Sequence, residues 1–184
     1  MNTKEIIRPA AVLLVITVVA GGVLGAVQSI TKPAIDAQNA KAQAEAMQKV
    51  FAEADEFKAV EGFAADGIVV DANGAYKGGE LCGYVIEVKP SGFGGEVDTM
   101  VGVDTEGAVT GLVVMSHSET PGLGAKATDE AWAGQFAGMT GADLAVTKDG
   151  GKVQAITSAT ITSRAVSEGA KAACDWVAAN GGAK

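Results

Sequence analysis

Val97-Asp98-Thr99-Met100-Val101-Gly102-Val103 and Val109-Thr110-Gly111-Leu112-Val113-Val114-Met115 are two runs rich in β-branched residues, with Asp104-Thr105-Glu106-Gly107 between them. Short β-like runs flanking an Asp/Gly turn read as an antiparallel hairpin. Upstream, Ile68–Val70 and Tyr84–Val88 have the same texture, and Tyr84, Ile86 and Val88 alternate as on a half-buried strand. Downstream, Thr128-Asp129-Glu130 reads as a capped helix start, with Trp132 and Phe136 four apart on one face. Two further short strands are expected near Leu144–Thr147 and Val153–Ile156. A last helix is then expected from about Ser163 to Ala179, with Val166, Ala170, Ala173 and Val177 as its apolar stripe and Asn180-Gly181-Gly182 as its stop. Strands first and helices packed on them make the predicted class α+β, an antiparallel sheet with helices against it.

The N-terminal part has another texture. Ala10 to Ile30, AAVLLVITVVAGGVLGAVQSI, contains no charge, and about 20 apolar residues in a helix cross the hydrocarbon of a bilayer. Lys4 and Arg8 precede the run, and Lys32 and Pro33 follow it. Basic residues before a span stay on the cytoplasmic side, so the expected topology is a single pass of the cell (inner) membrane. The N-terminus is then cytoplasmic and the remainder extracytoplasmic. A cleaved signal peptide is the competing reading, but its apolar region is usually shorter, about 7–15 residues, and no clear A-x-A follows here. Asp36 to Phe57 is rich in good helix formers, and Met47, Val50, Phe51 and Ala54 recur at helical spacing. The expected divisions are a tail and anchor over 1–33, a helical stalk over 34–60 and a globular domain over 61–184.

The formal net charge is −8 and the sequence pI about 4.6. Such a surface repels phosphate backbones, and no basic stripe is present, so nucleic acid is excluded as a partner. Cys82 and Cys174 form no CxxC pair, which argues against zinc or iron–sulfur ligation by this chain. A disulfide between them and two separate thiols are both compatible with the sequence.

Two stretches carry chemistry. Thr157-Ser158-Ala159-Thr160-Ile161-Thr162-Ser163 has five hydroxyls in seven residues and leads into a helix. A helix start exposes unpaired N–H groups and the positive end of the dipole, which suits an anion. Taken alone, the stretch also reads as a hydroxyl-rich cap and nothing more. His117-Ser118-Glu119-Thr120-Pro121-Gly122-Leu123-Gly124-Ala125-Lys126 follows a strand and holds two glycines that permit close backbone approach. His117 is the only histidine, and no Ser–His–Asp arrangement, P-loop or Rossmann fingerprint is present.

Taken together, the apolar anchor, Ser91-Gly92-Phe93-Gly94-Gly95, the HSETPGLGAK run and ITSATITSRAV resemble, in that order, the G subunit of the Rnf ion-translocating electron-transport complex. More distantly the chain is similar to the C subunit of the sodium-pumping NADH:quinone reductase. The resemblance implies FMN joined through its phosphate to the threonine that closes a D-x-x-[S/T]-G-A-T pattern. Here the aligned residues are Gln154, Thr157, Ser158, Ala159 and Thr160, so Thr160 is the implied acceptor and Thr162 the wrong-register alternative. Gln154 stands where aspartate is usual and Ser158 where glycine is usual. The resemblance further implies Thr162 and Ser163 as donors to the phosphate, and Glu119, Thr120, Gly122, Leu123, Gly124 and Lys126 around the isoalloxazine with Gly92, Phe93 and Gly94 close by. Lys126 would supply positive charge favouring the reduced flavin.

The implied function is a membrane-anchored flavoprotein subunit that relays electrons through covalent FMN within an ion-translocating complex, an electron carrier rather than a stand-alone enzyme. Its implied partners are iron–sulfur and flavin subunits, multi-spanning membrane subunits, membrane lipid and, during maturation, a flavin transferase. Two alternatives stand beside it: an FMN-domain carrier serving another extracytoplasmic reductase, and a non-redox binding module tethered to the membrane.

Overall fold

The computed structural model describes residues 3–181. By internal contacts the chain divides into residues 1–42 and residues 43–184. The first unit is helical, part of helix α1 (Thr3–Val50). Val12, Leu13, Leu14, Val15, Ile16 and the other large apolar residues through Ile30 are all more than half exposed, a surface that water does not favour. The helix is long and apolar enough to cross a membrane. Two of its hydroxyls are satisfied from within, since Thr17 donates to Leu13 O at 3.0 Å and Thr31 to Val27 O at 2.9 Å. No break occurs at Lys32–Pro33, because Pro33 lies inside the helix. The helix stops at Val50, so residues 51–60 are not part of a helical stalk. They form a turn and a strand of the second unit.

That unit is built on a five-stranded antiparallel meander in the order β1-β2-β3-β4-β5: β1 Glu56–Ala59, β2 Val69–Lys77, β3 Glu80–Val88, β4 Val97–Asp104 and β5 Val109–His117. The β4–β5 hairpin closes as its residues predict. Asp104 Oδ1 accepts from Glu106 N at 2.9 Å and Ala108 N at 2.8 Å, and Gly107 takes φ 84°. β2 is longer than Ile68–Val70 and β1 was not expected. Asp71, Asn73 and Gly74 interrupt any β-branched pattern in β2, yet Ala72 and Ala75 are fully buried. Gly78 and Gly79, both at positive φ, turn β2 into β3.

The sheet is covered on both faces. Tyr84, Ile86, Val88, Val101, Val103, Leu112 and Val114 face helix α3 (Thr160–Asn180), which contributes Val166, Ala170, Ala173 and Val177. Burying each valine stabilises the fold by roughly 1.5–3 kcal/mol. On the opposite face Val85, Met100 and Ala75 meet Ala46, Val50 and Phe51 at the end of α1. Glycines clear the ground for that contact. A Cβ on Gly111 would come within 2.9 Å of the Val50 Cα and carbonyl oxygen, and one on Gly102, its cross-strand partner, would also strike the Val50 backbone. Cys174 lies in the first core and Cys82 beside the second, with the sheet between, and both are free thiols.

Three local expectations are corrected. Leu144–Thr147 and Val153–Ile156 are not strands. A single parallel bridge, Val146 to Val153, joins them, and Leu144, Val146, Val153 and Ile156 are buried as connecting chain. The helix expected at Thr128 is one turn, α2 (Glu130–Ala133), followed by a 3-10 turn to Phe136. Trp132 meets the Phe136 ring edge-on at 5.3 Å. Helix α3 begins at Thr160 rather than Ser163.

Candidate functional site

Three segments converge at the end of the sheet: the loop after β3 (residues 91–95), the loop after β5 (residues 118–124) and the start of α3. They enclose a cavity of about 370 Å³ lined by Phe93, Glu119, Thr120, Leu123, Gly124, Ser158, Ala159, Thr160, Ile161 and Thr162. Phe93 is 70% exposed, Ile161 51% and Leu123 41%. Apolar side chains left open at a concave rim suit a flat, largely apolar ring system.

The α3 start explains the run of hydroxyls. The N-cap is Ala159, and it makes no side-chain capping bond. Five hydroxyl residues surround the one alanine, and the alanine holds the position where serine or threonine is favoured. The first-turn N–H groups have no partner inside the helix and receive none from their own cap. An anion would satisfy them.

The hydroxyls divide sharply. Thr160, the first helical residue, is half-buried on the cavity wall, while Thr157 and Ser158 are exposed. Thr162 is 1% exposed and donates to Glu119 Oε2 at 2.8 Å. Ser163 is fully buried, donating to Ala159 O at 3.0 Å and accepting from Ile156 N at 2.9 Å. Both are engaged in holding the helix start in place. Ser158 adopts φ 62°, the one positive φ outside glycine among the described residues.

Glu119 is the hub of the site. It is 6% exposed, and its second oxygen accepts the Gly94 N–H at 3.0 Å. One carboxylate thereby joins all three segments. The nearby glycines exist for this packing: a Cβ on Gly92, Gly94 or Gly124 would strike Glu119 itself or the Ser118 backbone beside it. Gly92 and Gly94 therefore lie behind the wall rather than in it. Gly122 makes the loop turn at φ 76°. Lys126 is exposed on the following 3-10 turn and is not among the lining residues. His117 has a structural task, its Nδ1 accepting the Glu119 N–H at 3.1 Å. Ile161, which the sequence reading omitted, belongs to the wall; its signal was an apolar residue in the first turn of an otherwise hydroxylated helix start.

Behind the site, Arg164 clasps Asp149 through Nε to Oδ2 at 2.6 Å and Nη2 to Oδ1 at 2.8 Å. The guanidinium holds the Asp149 carboxyl below its ordinary value. Gln154 is tied by its main chain, its carbonyl accepting from Trp132 Nε1 at 2.7 Å and its N–H donating to Gln135 Oε1 at 2.6 Å. A larger depression of about 920 Å³ lies between residues 58–66 and the end of α3. It presents the C-terminal end of that helix, without the unpaired N–H groups that would hold an anion.

Residues 92–175 match the FMN-binding domain family and residues 1–50 the RnfG N-terminal region. The chain is 36% identical to the G subunit of the ion-translocating oxidoreductase complex of Methanosarcina acetivorans, over 98% of this chain and 99% of the relative. It is 35% identical to the G subunit of the proton-translocating ferredoxin:NAD(+) oxidoreductase complex of Clostridium ljungdahlii, over 90% of this chain and 88% of that one. The crystal structure of the C subunit of the Na(+)-translocating NADH-quinone reductase from Parabacteroides distasonis shares the fold, with a TM-score of 0.53 at 22% identity over 73% of this chain and 81% of that one. The chain belongs to the family of G subunits of Rnf-type ion-translocating oxidoreductase complexes, and its C-terminal part is an FMN-binding domain.

Proposed function

We propose that the protein is the membrane-anchored electron carrier of such a complex, and that its FMN is esterified through phosphate to Thr160. The observation that carries this reading is the pairing of a half-buried Thr160 with an uncapped helix start on one cavity wall. The residues fit the group at both ends. Phe93, Leu123 and Ile161 supply an apolar rim for the isoalloxazine, and the α3 N-terminus supplies N–H donors for the phosphate.

In maturation the Thr160 hydroxyl oxygen would attack the flavin-side phosphorus of FAD, held by a separate transferase. The Oγ1–P bond forms, the P–O bond to AMP breaks so that AMP leaves with the bridging oxygen, and the threonine proton passes to solvent. Attachment leaves a phosphodiester with one negative charge beside the helix dipole. Once bound, FMN supplies one- or two-electron transfer. The chain's own part is to hold the phosphate at the α3 start, keep the ring in the cavity and prevent dissociation where no free flavin would replace a lost one.

The proposed topology is a single pass with the N-terminus in the cytoplasm and the flavin domain on the other side. Electrons would pass to and from iron–sulfur and flavin centres of neighbouring subunits, whose encounter the anchor favours by raising local concentration. Residues 10–30 contain no ionisable side chain, so the ion path is assigned to multi-spanning partners.

The test is a denaturing gel viewed under ultraviolet light after production beside the transferase. The parent chain is expected to fluoresce and Thr160→Val to be dark. Fluorescence persisting in the variant at the parental level would overturn Thr160 as the acceptor, and a dark parent band beside an active transferase would overturn covalent attachment.

A further inference from the structure

Glu119 is the only charged side chain among the residues that line the cavity. It is 94% buried by its 6% exposure, and none of the ion pairs among the described residues includes it. Its partners are neutral: the Gly94 N–H on one oxygen and the Thr162 hydroxyl on the other. The cation that the sequence suggested for this place, Lys126, is exposed and outside the lining. The only formal side-chain charge lining the cavity is thus negative.

We infer that Glu119, besides joining the three segments, sets the reduction potential of a flavin in this cavity by opposing the negative charge gained on reduction. A buried charge acts strongly because little solvent screens it, and two neutral hydrogen bonds hold it in place without cancelling it. The direction follows directly. The carboxylate lowers the potential, making the reduced flavin a stronger donor, and neutralising it raises the potential. This inference rests on FMN occupying the cavity.

Glu119→Gln removes the charge and keeps the shape. Its amide oxygen can accept from Gly94, and its NH2 can donate to Thr162 Oγ1. Thr162→Val does the reverse, deleting one hydrogen bond and leaving the charge. The full-length, matured chains in detergent would be titrated spectroelectrochemically at mildly alkaline pH, with flavin content checked by intact mass. Glu119→Gln is expected to shift the flavin potential in the positive direction, and Thr162→Val to leave it unchanged or shift it negative. A purely structural Glu119 would move both variants the same way. Equal potentials in the parent and Glu119→Gln, or a positive shift in Thr162→Val, would overturn the inference, and the second result decides even if Glu119→Gln does not fold. A parent chain without flavin would instead overturn the functional reading beneath it.

Discussion

Ser158 stands one residue before the helix cap, exposed, at φ 62°. A left-handed conformation costs a residue with a Cβ about 1–2 kcal/mol, and glycine avoids that cost while losing more chain entropy on folding, about 0.5–1 kcal/mol. Ser158→Gly is therefore expected to be slightly stabilising, by up to about 1 kcal/mol. Ser158→Val should destabilise by roughly 1–3 kcal/mol. Urea denaturation of the two variants beside the parent measures this, and a valine variant as stable as the parent would contradict the strained turn. The same position shows how residues are read from sequence. A serine in place of glycine was visible as a departure from the family pattern, and only the backbone angle gave it a cost.

At the scale of elements, α3 is a helix whose cap has been left open. Its body follows the ordinary rule, with a buried stripe of Val166, Ala170, Ala173 and Val177. Its start does not, because Ala159 holds the cap. Ala159→Ser would provide the missing acceptor for a first-turn N–H and is expected to stabilise the unflavinylated chain by about 1 kcal/mol. The same hydroxyl would compete with the phosphate for those donors, so the proposed flavin attachment to Thr160 should slow. Urea midpoints and the time course of gel fluorescence report the two effects separately. A variant that is both better capped and loaded at the parental rate would show that the helix start does not hold the anion.

At the scale of the molecule, residues 43–184 form one unit in which the sheet separates two cores. Cys174 belongs to the larger core, and burial pushes its thiol up to about 11 from an ordinary 9.0. The unfolded chain loses this proton before the folded one does. The stabilisation tied to the protonated thiol is complete below pH 9.0 and is lost as pH rises through about 11. Cys174→Ala should flatten that decline. The comparison is the difference in unfolding free energy between parent and variant across this window, and a constant difference would show that the thiol is not titrating from a buried state.

Much of this protein was legible without coordinates. The charge-free run over residues 10–30, the Asp104–Gly107 hairpin, the apolar stripe of α3 and the two chemical loops depend on local pattern, and local pattern is written in the chain. The start of α3, the burial of Ser163 and the hub at Glu119 were not, because each depends on segments far apart in sequence. Gly102 and Gly111 make the point most directly. In strands they read as weak positions, and only the arrival of Val50 on that face of the sheet explains why no side chain can stand there. Periodicity and turn chemistry act between neighbours along the chain, so they survive in the sequence. Which hydroxyl faces the cavity and which supports its wall is decided by packing, and packing exists only once the chain has folded.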